Sequence, residues 1–312
     1  MINKITTYSI TILTLLIGLY SHAQQDPQYT QYMYNMSVIN PAYATDENSS
    51  INGGLLYRSQ WARSVGGPTT ATGFFHTKLT DRLEGGLSIV HDDIGDVVKQ
   101  TSAFADLAYV IPMGEALKLS FGVKAGASFY NANFDGFVYS DPDEDPAFAE
   151  NINKTFPNIG AGLFLFSENY YVGLSVPNLL ETKHLEESSG IVSQGSENMH
   201  FFLTGGYVLD LNDTFKFKPA FMTKYVNGAP LSIDLSANFR YLNLLEFGIG
   251  YRFDDAYTGM INFTLTDSLR VGYAYDHTIS NLGDFNSGSH EIMLLINISN
   301  LRKGYDKSPR FF

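Results

Sequence analysis

The sequence predicts an all-β fold: a transmembrane, antiparallel, up-and-down β-barrel of about 14 strands with a non-strand N-terminal segment. Three observations predict it. Apolar and polar residues alternate with period 2 from Gly53 onward. The alternating runs span roughly 9–13 residues, longer than the usual 5–6 of globular sheets and suited to crossing a bilayer at a tilt. The joins between runs are tight at one end and often long at the other, which is the layout of an outer-membrane barrel. A soluble sandwich would account for the alternation but has no reason to sort its loops.

The chain opens on a signal peptide, residues 1–23. Lys4 supplies a positive n-region, Ile10 to Tyr20 an apolar h-region, and Ser21-His22-Ala23 places small residues at −3 and −1, so cleavage is expected before Gln24. No later segment has the ~18 uninterrupted apolar residues of a transmembrane helix. Residues 24–50 are polar and Tyr-rich, and Pro27 and Pro41 break any long helix. Such a segment is expected to lie in the periplasm or plug the lumen.

The barrel is expected over 51–300. Candidate strands lie at 53–60, 69–79, 85–92, 101–111, 116–130, 155–166, 170–177, 199–209, 214–225, 231–240, 244–252, 257–266, 269–276 and 290–299. In the fifth, Leu117, Leu119, Phe121, Val123, Ala125, Ala127 and Phe129 share one face. Lys118, Ser120, Gly122, Lys124, Gly126, Ser128 and Tyr130 share the other. The pattern recurs at 231–241 and 269–276, and successive strand side chains point to opposite faces. The tight joins are Thr80 to Glu84, Pro112 to Glu115, Ser167 to Asn169, Asp210 to Asp213, Tyr241 to Asn243 and Asp267 to Ser268; the long ones include 131–154, 178–198 and 277–289. An even strand number returns the chain to its side of entry. With tight turns periplasmic, the N-terminal segment and the tail 301–312 are expected there, and the long loops outside.

Composition narrows the function. Formal net charge is −12, and loss of Lys4 with the leader gives −12 − 1 = −13. That excludes nucleic acid as a natural partner, since phosphate binding needs basic surface. Charged residues are 17% of the chain, against roughly 25% in average soluble proteins. Cysteine is absent, which excludes disulfides, thiol nucleophiles and thiolate metal sites. The histidines show no ligand spacing and there is no Gly-x-Ser-x-Gly, so no catalytic, cofactor or metal residues are expected. Asp141-Pro142-Asp143-Glu144-Asp145-Pro146 lacks the spaced pattern of a calcium loop and reads as a solvated external loop.

The charges on the polar face are the informative ones: Lys118, Lys124, Lys216, Lys218, Lys224, Arg240, Arg252 and Arg270, with Asp234, Glu246 and Glu291. A charge facing lipid at mid-bilayer costs ~2–4 kcal/mol, so these side chains are expected in the lumen. There they would form a salt-bridged filling or a selective solute channel; the available plug favours the filling. Tyr109, Phe129, Tyr130, Tyr170, Tyr171, Tyr225 and Tyr251 lie near strand ends and suit interfacial aromatic girdles in contact with lipid.

Several stretches resemble the PorP/SprF family of outer-membrane proteins of the type IX secretion system. They are Gln25-Asp26-Pro27-Gln28-Tyr29-Thr30-Gln31-Tyr32-Met33-Tyr34-Asn35 followed by Ile39-Asn40-Pro41-Ala42-Tyr43, and Tyr57-Arg58-Ser59-Gln60-Trp61. Further ones are Phe156-Pro157-Asn158-Ile159-Gly160-Ala161-Gly162, Gly250-Tyr251-Arg252-Phe253-Asp254-Asp255, and the ending Ser308-Pro309-Arg310-Phe311-Phe312. The resemblance implies a multi-pass outer-membrane barrel without enzymatic activity or cofactor. It would support export or surface attachment of secreted cargo such as gliding adhesins, meeting a cargo C-terminal domain, other secretion or gliding components, and outer-membrane lipid. A solute porin or transporter is the alternative. By position within the resemblance, partner contacts would fall on Asp26, Pro27, Tyr29, Tyr32, Tyr34, Asn35, Asn40, Pro41, Arg310 and Phe312.

Overall fold

The computed structural model describes residues 27–45, 50–135, 151–180, 182–183, 196–197 and 199–299. Fourteen long antiparallel strands close into a barrel. They are β1 (Ser50–Ser59), β2 (Thr69–Lys78), β3 (Leu83–Ile94), β4 (Val98–Pro112), β5 (Lys118–Ala132), β6 (Ile152–Phe166) and β7 (Tyr170–Val176). The second half has β8 (His200–Tyr207), β9 (Phe215–Val226), β10 (Ser232–Tyr241), β11 (Leu245–Arg252), β12 (Ala256–Thr266), β13 (Leu269–Thr278) and β14 (Ser289–Ser299). Each strand pairs with its chain neighbours, and β14 returns to β1 from Ser50↔Ser299 to Ser59↔His290. Closure leaves no open edge, as an apolar bilayer core requires of a sheet.

The turns at one end are short and chemically specified. Asp267 and Ser268 alone join β12 to β13. Asn212 Oδ1 accepts the N–H groups of Thr214 and Phe215, and Ser167 Oγ accepts those of Asn169 and Tyr170. Side-chain acceptors of this kind stand in for a backbone turn. The other end carries the longer joins, over residues 60–68, 133–151, 177–199 and 279–288. Two of these are knit together: Ala62 N–H donates to Gly288 O at 2.8 Å, and Ser287 N–H to Ala62 O at 2.9 Å. The acidic run 141–146, residues 1–26 and the tail 300–312 lie outside the described residues.

The period-2 pattern sorts the two faces. Leu55, Leu87, Val123, Ile249 and Ile292 are exposed on the outer wall, while Lys124, Lys218, Glu246, Arg252 and Glu291 are buried within. Two members of the expected lipid-facing aromatic set are corrected. Tyr130 and Tyr171 are buried on the inner face, because their positions in β5 and β7 carry inward parity. Tyr109, Phe129 and Tyr225 are exposed. The lumen is also more apolar than the charge pattern suggests. Leu56, Val110, Phe164, Phe166, Phe202, Met222 and Met293 point inward and form a core with residues of the N-terminal segment. Glu84, expected in a turn, is the second residue of β3 and is fully buried.

A lumen occupied by the N-terminal segment

Residues 27–45 lie inside the wall. Tyr32–Tyr34 forms a short 3-10 turn and Met36–Ile39 a single α-helical turn. Tyr29, Tyr32, Met33, Tyr34, Met36, Ile39, Ala42 and Tyr43 are all buried in the common core. The path crosses the lumen. Thr30 and Gln31 bond to β13 and β14, whereas Ile39 and Asn40 bond to β7 and β6 on the opposite side. It also descends. Gln28 and Thr30 meet residues at the long-loop ends of β1, β11 and β13; Thr45 meets Glu84, just above a tight turn.

The first clamp is an ionic network at the long-loop end. Arg58 lies 2.8 Å from Asp276 and 3.4 Å from Glu291. Arg252 contacts Asp234 at 2.6 Å, Asp255 at 3.2 Å and Asp276 at 3.4 Å. Both arginines are buried, and a buried charge persists only when paired and hydrogen-bonded. The segment completes the network. The N–H groups of Thr30 and Gln31 each donate to the Glu291 carboxylate at 2.9 Å, and Thr30 Oγ1 donates to Asp276 at 2.6 Å.

Midway, Lys124 Nζ donates to Val38 O at 2.7 Å and lies 3.6 Å from Asp106. Ser175 Oγ donates to Ile39 O at 2.9 Å. Asn40 Nδ2 donates to Leu163 O at 3.0 Å. Inner-wall glycines make room for this crossing: a Cβ on Gly122 would collide with the Pro41–Ala42 backbone, and one on Gly162 with the Asn40 side chain. Tyr43 packs edge-on against Phe164, with ring centroids 5.5 Å apart. At the tight-turn end Glu84 accepts the Thr45 N–H at 2.9 Å and lies 3.6 Å from His76.

Of the residues singled out in the sequence, Tyr29, Tyr32, Tyr34, Asn35, Asn40 and Pro41 are brought together in the lumen, and all six are buried. Pro27 is half-buried at the long-loop end. Asp26, Arg310 and Phe312 lie outside the described residues. The inward-facing charges occupy the lumen as expected; Lys216 near the foot of β9 is partly exposed and pairs with Asp210 at 2.9 Å. Arg58, Asp276, Glu84, His76 and Asp106 belong to the same interior but were not singled out. Strand parity alone would have found all but Glu84, which falls outside the candidate strands. Among the described residues no group of three or more His, Asp or Glu side chains could hold a metal ion.

Residues 21–296 match the model of a family described as type IX secretion system membrane protein PorP/SprF. Solved structures of similar shape include the outer-membrane protein Omp33 of Acinetobacter baumannii, with TM-score 0.44, 10% identity, 81% of this chain and 100% of that one. The toluene transporter TodX of Pseudomonas putida has TM-score 0.48, 10% identity, and coverage of 84% and 92%. A FadL homologue of Pseudomonas aeruginosa has TM-score 0.42, 11% identity, and coverage of 89% and 95%. No curated protein sequence matches the chain.

Proposed function

We propose, from the premise that this chain belongs to the PorP/SprF family of type IX secretion system membrane proteins, that it is an accessory outer-membrane scaffold supporting export or surface attachment of secreted proteins. The observation that carries the scaffold reading is the occupied lumen. A passage for solutes needs a continuous water-filled path, and here residues 27–45 cross from one wall to the other with their side chains packed into the barrel core. The interior charges pair with one another and with the segment instead of lining an opening.

On this reading the secreted cargo meets the long-loop end, where the joins 60–68 and 279–288 brace each other. Their exposed Val65 and Phe285 are apolar anchors of the kind that carry binding energy at interfaces. Other secretion components meet the opposite end, in the periplasm. The test is affinity purification from native membranes after crosslinking. Cargo C-terminal domains and secretion components should co-purify, and Val65→Asp with Phe285→Asp should lose the cargo while keeping the periplasmic components. Purification of the barrel with none of them would overturn the proposal.

A further inference from the structure

We infer that the barrel lumen is a receptor for an extended polypeptide segment, held in this structure by the protein's own residues 27–45. The wall addresses the segment's main chain along its whole length. Glu291 takes two successive backbone N–H groups, those of Thr30 and Gln31, on its two carboxylate oxygens. Glu84 takes the N–H of Thr45. Lys124 and Ser175 donate to the consecutive carbonyls of Val38 and Ile39. These five bonds ask only for a peptide backbone. Four of the five, those to Glu291, Glu84 and Lys124, are charge-assisted, a class about twice as strong as neutral bonds, and all but the Lys124 bond are fully buried.

The wall also leaves room for a chain to pass. Gly122 stands against the Pro41–Ala42 backbone, Gly162 against Asn40, and a Cβ on Gly272 would come within 2.7 Å of Gln31 Oε1. Side chains are read as well: Thr30 by Asp276 and Arg58, Gln28 by Arg252, Tyr29 by Thr72, Tyr34 by Asn262, Thr45 by Glu84, and Asn40 through Leu163 O. The favoured ligand is therefore an extended, uncharged segment rich in Tyr and Asn, with one helical turn in its middle.

The resident segment fits less well at two of its side chains. Gln31 and Asn35 are fully buried, and neither side-chain amide has a hydrogen-bond partner among the described residues. A buried amide without a partner forfeits its hydration for nothing in return, so a ligand with apolar residues at these two places would bind better than the resident. The resident's advantage is its tether to β1, which gives it an effective concentration in the millimolar range. A partner's segment presented nearby in the same way can compete with it. This inference rests on lumen geometry and is separate from the family-based role.

The experiment uses the full chain with a protease site substituted into residues 46–49. The protein is folded in detergent and then cut, which frees the resident from its tether without asking a truncated barrel to fold. A fluorescent synthetic peptide of residues 24–45 is added, with a scrambled peptide of the same composition as control. Saturable one-to-one uptake of the native peptide is expected, with at least tenfold weaker uptake of the scrambled one. The native peptide should bind at least tenfold more weakly when Glu291→Gln or, as the milder change, Ser175→Ala is present in a barrel that keeps its folded gel mobility. Two results overturn the inference. One is retention of the cut segment against a thousandfold excess of labelled peptide. The other is an emptied, folded barrel that takes up no more native than scrambled peptide.

Discussion

At the residue scale, the inner wall depends on charges that hold one another in place. Glu291 sits 3.4 Å from Arg58 and takes two N–H groups of the N-terminal segment. Deleting one partner of a buried pair costs roughly 3–5 kcal/mol, because the other charge stays behind. Glu291→Ala should therefore lower the unfolding free energy by that amount in urea titrations followed by fluorescence of Trp61, the chain's single tryptophan. An unfolding free energy unchanged within about 0.5 kcal/mol, the range of ordinary surface substitutions, would show that Glu291 is not a structural tie. The outer wall obeys the opposite rule. Ile249 is 66% exposed, and Ile249→Arg should cost ~2–4 kcal/mol in lipid if it lies near the bilayer midplane. Most of this sorting was legible in the sequence, since parity alone places Lys124, Arg252 and Glu291 inside. The aromatics were harder. Tyr130 and Tyr171 were assigned by closeness to a strand end, a criterion that suits either face, and parity decides against lipid. Glu84 follows the charged turn residues Asp81 and Arg82, which hid it among them.

At the element scale, strand positions were recovered to within about three residues, the usual error of boundaries read from one sequence. Period 2 is a strong signal when every strand is buried on one face and greasy on the other. The location of the N-terminal segment had no such signal. It has no period, and its contacts join residues as far apart as Thr30 and Glu291, which no local pattern encodes. Its direction carries a prediction. Pro27 and Gln28 stand at the long-loop end and Thr45 at the tight-turn end. If tight turns are periplasmic, Gln28 stands at the end that faces the cell exterior, although β1 begins at the periplasmic end. The chain has no cysteine, so a single Gln28→Cys is an unambiguous reporter. A membrane-impermeant maleimide should label it on intact cells, whereas Ser268→Cys, in the tight turn, should need permeabilised cells. The reverse pattern would invert the barrel.

At the scale of the whole molecule, the question is what the filled interior does to transport. The barrel wall is complete on its own terms, since every long strand is paired on both sides. The segment is therefore a second layer laid inside a closed cylinder, tied to it at three carboxylates and a lysine. Its removal would expose Lys124, Arg58, Glu291 and Asp276 to a shared lumen, and such a lumen conducts ions. The intact protein should accordingly be silent in planar bilayers. Gly122→Val is the sharpest perturbation, because its side chain must occupy the space of the Pro41–Ala42 backbone while leaving the outer wall untouched. It should produce steady or flickering current, and addition of peptide 24–45 should not restore silence, since the site itself is obstructed. Deletion of 27–45 should also conduct, but there the peptide should close the channel. Steady current through the unmodified barrel would return the solute-porin reading to the front, because a lumen held shut by these contacts cannot carry it.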